Sequence, residues 1–142
     1  MAKHYNVGGQ VRLVNRLVGG LTRLGLVGGT YTLTTTGRKS GLARSTPVTI
    51  ATLGGRRYLV APYGEVGWVH NARANATARL RRRGVDETIR VIEVGADEAG
   101  PVLKKYVEQI RIVRPYFDAA PDDNVAAFVT EAARHPVFRI EE

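Results

Sequence analysis

Twelve residues, 36-TGRKSGLARSTP-47, hold Arg38, Lys39 and Arg44 beside the hydroxyls of Ser40, Ser45 and Thr46, with no acidic side chain among them. The chemistry this set offers is anion binding. A guanidinium presents a planar fork that matches two oxygens of a phosphate or carboxylate, and an ammonium adds a movable point charge. Gly37 and Gly41 free the backbone, so that its N–H groups can turn toward the same oxygens. A solvated basic hairpin loop is the competing reading, and the twelve residues alone do not decide between them.

Two further groups carry chemistry. In 61-APYGEVGWVHNARAN-75, Ala61 and Pro62 end a strand and let the chain approach a flat ligand closely. Trp68, the only tryptophan, and Asn71 lie three residues apart on one helix face, where they could cap a planar ring. Trp68 is equally read as a core anchor. Tyr106, Tyr116 and Phe117 form an aromatic group further on. Tyr106 falls in the apolar stripe of a helix and suits the core; Tyr116 and Phe117 follow Pro115 and are candidates to line an apolar substrate pocket.

Charge supports an anionic ligand. Nine Lys or Arg precede the first acid, Glu65; from Glu65 onward the chain has twelve basic and thirteen acidic residues. The first part therefore carries +9 and the rest −1, giving the net +8. Such asymmetry points to nucleic acid, a membrane surface or a polyanionic small molecule. Other classes are excluded. Gly37 is followed by Arg38 where a P-loop needs lysine, no G-x-G-x-x-G follows a strand, and no G-x-S-x-G is present. His4, His70 and His135 are scattered without metal-ligand spacing, so no metal is expected. Cysteine is absent, which removes disulfides, thiolate zinc sites and thiol nucleophiles and fits a reducing cytoplasm. The N-terminal MAKHYNVGGQ is too polar to read as a secretory signal, and no apolar run approaches 18 residues.

The elements that must position these groups follow from periodicity. The length of 142 residues suits a single domain spanning 1–142. Leu13, Val14, Leu17, Val18, Leu21 and Leu24 share one side of a helix over about 11–24, with Arg12, Arg16 and Arg23 opposite. It either packs on its own domain or rests on an anionic membrane surface. Strands are expected at 30–36, 45–53, 57–62, 77–83, 87–94 and 137–140, with Gly54-Gly55 as a tight hairpin and Pro47 marking an edge or bulge. Helices are expected at 68–75, 97–113 and 121–134. Short strands joined by tight turns, with added helices, imply an α+β fold: a small β-barrel of about six mostly antiparallel strands with peripheral helices.

LTTTGRKSGLARSTP, then RYLVAPYG, then WVHNARAN, in that order and spacing, resembles the deazaflavin-dependent nitroreductase family, whose members bind coenzyme F420. The closing ARHPVFRIE is also similar to many members. The resemblance implies a split β-barrel and a cytoplasmic reductase that uses reduced F420 as hydride donor to a quinone or nitro(hetero)aromatic substrate. It further implies that Arg38, Lys39 and Ser40 bind the phosphate and glutamate tail of the cofactor, and that Arg44, Ser45, Thr46, Pro47 and Val48 continue the groove. Ala61, Pro62 and Tyr63 would border the deazaflavin ring, with Trp68, Val69 and Asn71 completing the site. Tyr63, Tyr116 and Phe117 would face substrate, and the proton would come from Tyr63 or from solvent. The family's nitroimidazole-activating members have a small hydroxyl residue followed by lysine where this chain has Tyr63-Gly64, so activity on nitro drugs transfers less directly than cofactor binding.

Three other readings share these residues. One is a non-catalytic F420 binder or carrier. Another is an FMN-dependent, oxidase-like barrel. The third is a nucleic-acid-binding barrel, which accounts for the charge but offers a single tryptophan and no aromatic series along its strands on which bases could stack; no nucleic-acid partner is expected. Peripheral contact with the membrane surface is expected only if the apolar side of 11–24 faces outward.

Overall fold

The computed structural model describes residues 30–141; the helix expected at 11–24 lies outside them. Six strands, β1 (Thr30–Thr36), β2 (Ala43–Leu53), β3 (Arg56–Val60), β4 (Thr77–Arg82), β5 (Val85–Glu93) and β6 (Val137–Glu141), close into a barrel in the order β1-β2-β3-β6-β5-β4. Every neighbouring pair is antiparallel. Among the described residues three helices accompany them: α1 (Gly67–Ala74), α2 (Ala96–Gln109) and α3 (Val125–Glu131), with a 3-10 turn at Arg111–Tyr116.

Alternation along the strands builds two cores rather than one. Leu33, Leu59, Leu80, Ile89, Phe138 and their neighbours fill the barrel interior. Tyr58 and Val60, which flank Leu59 and so face outward, join Val102, Leu103, Val107, Phe128 and the rest of a second core beneath α2 and α3. Two hairpins set the register. Gly54 and Gly55 have φ of 60° and 77°, and Arg83 and Gly84 have φ of 52° and 80°. Paired positive φ is the two-residue turn whose twist matches the flanking strands.

The feature that shapes the site is the unequal length of β2 and β3. Strand β2 has β1 alongside from Ala43 to Thr49, but β3 alongside only from Ile50 to Leu53. Along residues 43–49 one flank of β2 has no strand partner. Pro47 sits inside that stretch, opposite Thr32, where a missing N–H removes no bond to β3. Pro47 is thus inside a strand that begins two residues earlier than its sequence suggests.

The expected helix at 97–113 ends instead at Gln109. Arg114, in the following turn, donates from Nε to the Val107 carbonyl (2.9 Å) and from Nη2 to the Glu108 carbonyl (2.9 Å), satisfying carbonyls at the helix end. Helix α3 begins at Val125, not 121, because Asn124 is its cap and accepts from the Ala127 N–H at 3.1 Å. Asp123 is used one turn earlier, accepting from the Ala120 N–H at 2.7 Å.

Helices α2 and α3 approach most closely at Gly100. A Cβ there would lie 2.5 Å from Val129 Cγ2 and 3.1 Å from the Val129 backbone nitrogen. Alanine would favour helix by about 1 kcal/mol, but overpacking against a stiff β-branched side chain and its backbone costs about 1–3 kcal/mol. Gly100→Ala should therefore lower stability by up to about 2 kcal/mol, read as a fall in the thermal midpoint; a higher midpoint would show that the helices separate freely.

Candidate functional site

The open flank of β2 is one wall of a cavity of about 470 Å³. Its other walls are Thr35 and the 37–40 loop, Val60 at the end of β3, Pro62, Tyr63 and Val66 beyond it, Gly67, Trp68 and Asn71 of α1, and Tyr106 of α2. The volume lies within the range of pockets that hold drug-sized ligands.

The loop after β1 closes on itself. The Gly37 N–H donates to the Leu42 carbonyl at 2.8 Å and the Gly41 N–H to the Gly37 carbonyl at 2.8 Å, with Gly41 at φ 70°. Ser40 Oγ accepts from the Leu42 N–H at 3.2 Å. Gly37 cannot easily be replaced, because a Cβ would stand 2.7 Å from Ser40 Oγ and 3.1 Å from the Leu42 carbonyl oxygen. The result is a compact turn that displays Arg38 and Lys39 at the cavity mouth, with Arg44 opposite on β2.

Asn71 fastens this turn to the barrel. It is buried, and its Oδ1 accepts from both the backbone N–H and Nη1 of Arg38, each at 3.1 Å. Its Nδ2 donates to Thr35 Oγ1 at 3.2 Å. Asn71 therefore aims an arginine at the cavity as well as lining it, a role not visible in its spacing from Trp68.

Electrostatics distinguish these cations from the others. Arg57 meets Glu87 at 2.8 Å and holds its carboxyl below the usual range, chiefly by hydrogen bonding. Arg73 meets Glu65 at 2.6 Å and Glu93 at 2.8 Å; Arg139 meets Glu98 at 3.0 Å. Among the described residues no carboxylate pairs with Arg38, Lys39 or Arg44. Among the described residues that line the cavity, none is acidic.

Behind the mouth the cavity becomes apolar. Trp68 is half-buried, packed on Phe138 at 5.5 Å between ring centroids, and still lines the space, so it is core anchor and cavity wall together. Pro62 and Tyr63 line it as well; Ala61 and Val69 are fully buried behind the wall. Tyr116 and Phe117 depart from expectation. Neither borders the cavity. Tyr116 is buried edge-on against Tyr63 at 4.9 Å, and Phe117 stacks on His135 at 3.9 Å. The 3-10 turn carries both into the helical core, so they support the wall from behind. Burial keeps His135 below the ordinary imidazole range, and its Nδ1 lies 3.3 Å from the Ala61 carbonyl oxygen. Gly37 lines the cavity as the anion-binding reading expects; Thr35, Thr49, Val60, Val66, Gly67 and Tyr106 line it although the sequence does not single them out as site residues, Tyr106 reading as core.

The sequence profile of the F420H(2)-dependent quinone reductase family matches residues 8–131. The chain belongs to this family. Among solved structures the reductase is similar to an F420-H2 dependent reductase, at 26% identity with a TM-score of 0.54, over 80% of this chain and 95% of that one. It is similar in fold to a domain-swapped dimer at 21% identity (TM-score 0.57, 94% of this chain and 100% of that one). A NimC/NimA family protein from Clostridium acetobutylicum, at 14% identity, shares the fold with a TM-score of 0.52 over 84% of this chain and 81% of that one. No curated protein sequence matches the chain. The reductase is thus an F420H2-dependent oxidoreductase on a split β-barrel. Among the described residues no helix is long and apolar enough to cross a membrane.

Asn71→Ala should leave the buried Thr35 hydroxyl without its amide partner and release Arg38. Losing these bonds costs about 1–3 kcal/mol, visible as a lower denaturant midpoint. Amide exchange at Arg38 and Gly41 should quicken at the same time; unchanged exchange would show that the loop holds itself.

Proposed function

We propose that the cavity binds F420H2 with its acidic tail at the cationic mouth and its ring at the apolar end, where a quinone accepts the electrons. The observation that carries this reading is the trio Arg38, Lys39 and Arg44, left without carboxylates at the mouth and braced by a buried amide. F420 has a phosphodiester and a chain of carboxylates, and the donor set fits such a group. Arg38, Lys39 and Ser40 hold the tail from the loop, while Arg44, Ser45 and Thr46 hold it from β2. Pro47 and Val48 continue the groove inward. Pro62 and Trp68 form the floor and side against which a flat ring lies, backed by the buried Ala61 and Val69, with Asn71 fixing Arg38 at the mouth. When bound, the reduced deazaflavin supplies a hydride. The chain's own work is to orient the two reactants and to exclude water between them. Tyr63 borders the substrate, braced by Tyr116 and, further back, Phe117, and is placed to pass a proton to it. The setting of this chemistry is the cytoplasm, with the 11–24 segment meeting the inner membrane surface where lipid-soluble quinones reside.

Two measurements test the reading. Fluorescence titration should show F420 binding, and the combined Arg38→Ala, Lys39→Ala and Arg44→Ala variant should weaken it at least about 100-fold, since charge-assisted contacts contribute about 1.5–3 kcal/mol each. Unaltered affinity would overturn the assignment, and tighter binding of FMN than F420 would favour the flavin-dependent alternative. On the substrate side, Tyr63 narrows the apolar end. Nitroimidazole reduction should be slow in the wild type and faster in Tyr63→Ser; equal rates across several nitroimidazoles would reject a gating role.

A further inference from the structure

The apolar end of the cavity contains a polar pair that neither the binding of an acidic tail nor the proton transfer assigned to Tyr63 uses. Along β2, Arg44 and Thr49 are five residues apart, about 16 Å at strand rise. The cations therefore gather at one end of this wall, and Thr49 marks the other. Thr49 is 4% exposed, and so is Tyr106, which reaches the same place from α2. Tyr106 and Thr49 meet at this end of the cavity; burial pushes the Tyr106 phenol far above its ordinary range, and the neighbouring Thr49 hydroxyl draws it partly back. Thr49 Oγ1 in turn lies 3.2 Å from Thr30 Oγ1. The three side chains therefore follow one another from β1 through β2 to the helix. Around the inner end of the cavity Val48, Val60, Pro62 and Trp68 offer no side-chain oxygen, and Tyr63 brings the other phenol.

A tyrosine in the stripe of a core helix needs no hydroxyl to pack; phenylalanine would fill the same volume. A hydroxyl has one donor and two acceptor sites. If Thr49 donates to the phenol oxygen, the phenol O–H remains available to an acceptor in the cavity. An apolar pocket rejects a substrate weakly, whereas a pocket with one placed polar group discriminates strongly, because that group goes unmatched with the wrong ligand.

We infer that Tyr106, held in orientation by Thr49, is the specificity-determining donor of the substrate site and hydrogen-bonds a carbonyl oxygen of the electron acceptor. This rests on the reading of the cavity as an F420H2-dependent quinone site and names the contact that recognises the quinone. No bond is made or broken at Tyr106; it positions and polarises the carbonyl, while Thr49 is a positioning residue that acts through it.

The test uses the full chain with F420H2, menadione as acceptor, and 2-methylnaphthalene, which keeps the ring frame but has no carbonyl oxygen, as competitive inhibitor. Tyr106→Phe should lower kcat/KM for menadione about tenfold, the loss of one neutral hydrogen bond. The Kd for F420 and the inhibition constant of 2-methylnaphthalene should each stay within about twofold, since shape and tail contacts are kept. Thr49→Val should give a smaller loss in the same direction, and it decides the matter if Tyr106→Phe fails to fold. An unchanged kcat/KM overturns the inference, as does an equal fall in menadione turnover and 2-methylnaphthalene binding, which would mark Tyr106 as packing alone. If the wild type fails to bind F420 or to reduce menadione, the broader reading fails instead.

Discussion

The site depends on a neutral amide holding a cation. Arg38, Lys39 and Arg44 repel one another, and a loop carrying them needs something to fix it. A carboxylate would fix it well, as Glu87 does for Arg57, but would also cancel the charge and occupy the donors that an anionic ligand requires. Asn71 avoids that conflict. Its Oδ1 takes the Arg38 backbone N–H and one guanidinium N–H, leaving the remaining donors and the whole positive charge for a ligand. Because Asn71 is buried and its Nδ2 is engaged by Thr35, the loop is referenced to the barrel interior and not to solvent. That is the preorganisation an anion site needs: donors fixed before the ligand arrives, so that binding does not have to order them.

The barrel supplies the space beside it by failing to pair one strand completely. Had β3 run the full length of β2, the flank along residues 43–49 would be hydrogen-bonded and filled. It stops at Val60, and Pro62 and the turn at Gly64 lead the chain away into α1. Pro47 fits the unpaired stretch of β2, where the lost donor removes no bond to β3. The cavity also lies between the two cores. Trp68 reaches it from the barrel side through Phe138, and Tyr106 and Tyr63 reach it from the helical side.

Much of this was legible in the sequence because it is local. Alternation in TYTLTTT and TARLRR, the Gly54-Gly55 turn and the cationic loop each declare themselves within a dozen residues, and the family's motifs lie on the same local stretches. What was not legible is what joins distant segments. Nothing near Asn71 shows that its partner is Arg38, 33 residues earlier. The end of α2 is set by an arginine reaching back from the next turn, and no periodicity reports that. Tyr116 and Phe117 follow a proline, which read as departure from the core; the 3-10 turn instead folds them under Tyr63 and against His135. Tyr106 misleads in the opposite way. Its place in an apolar stripe marks it correctly as buried, yet a buried residue can still form a cavity wall.

The two ends of the cavity obey different electrostatics. Arg38, Lys39 and Arg44 are exposed, so their attraction for an anion acts through water and is screened over about 8 Å at physiological ionic strength. Such a mouth attracts and orients any polyanion of suitable length, and it does so with modest selectivity. Thr49 and Tyr106 are almost wholly removed from solvent, where a hydrogen bond has no water to replace it and an unmatched group is costly. Affinity for an acidic cofactor and choice of electron acceptor therefore belong to opposite ends of one strand. Substitutions at the wet end should alter the first with little effect on the second, because about 16 Å of β2 separates them.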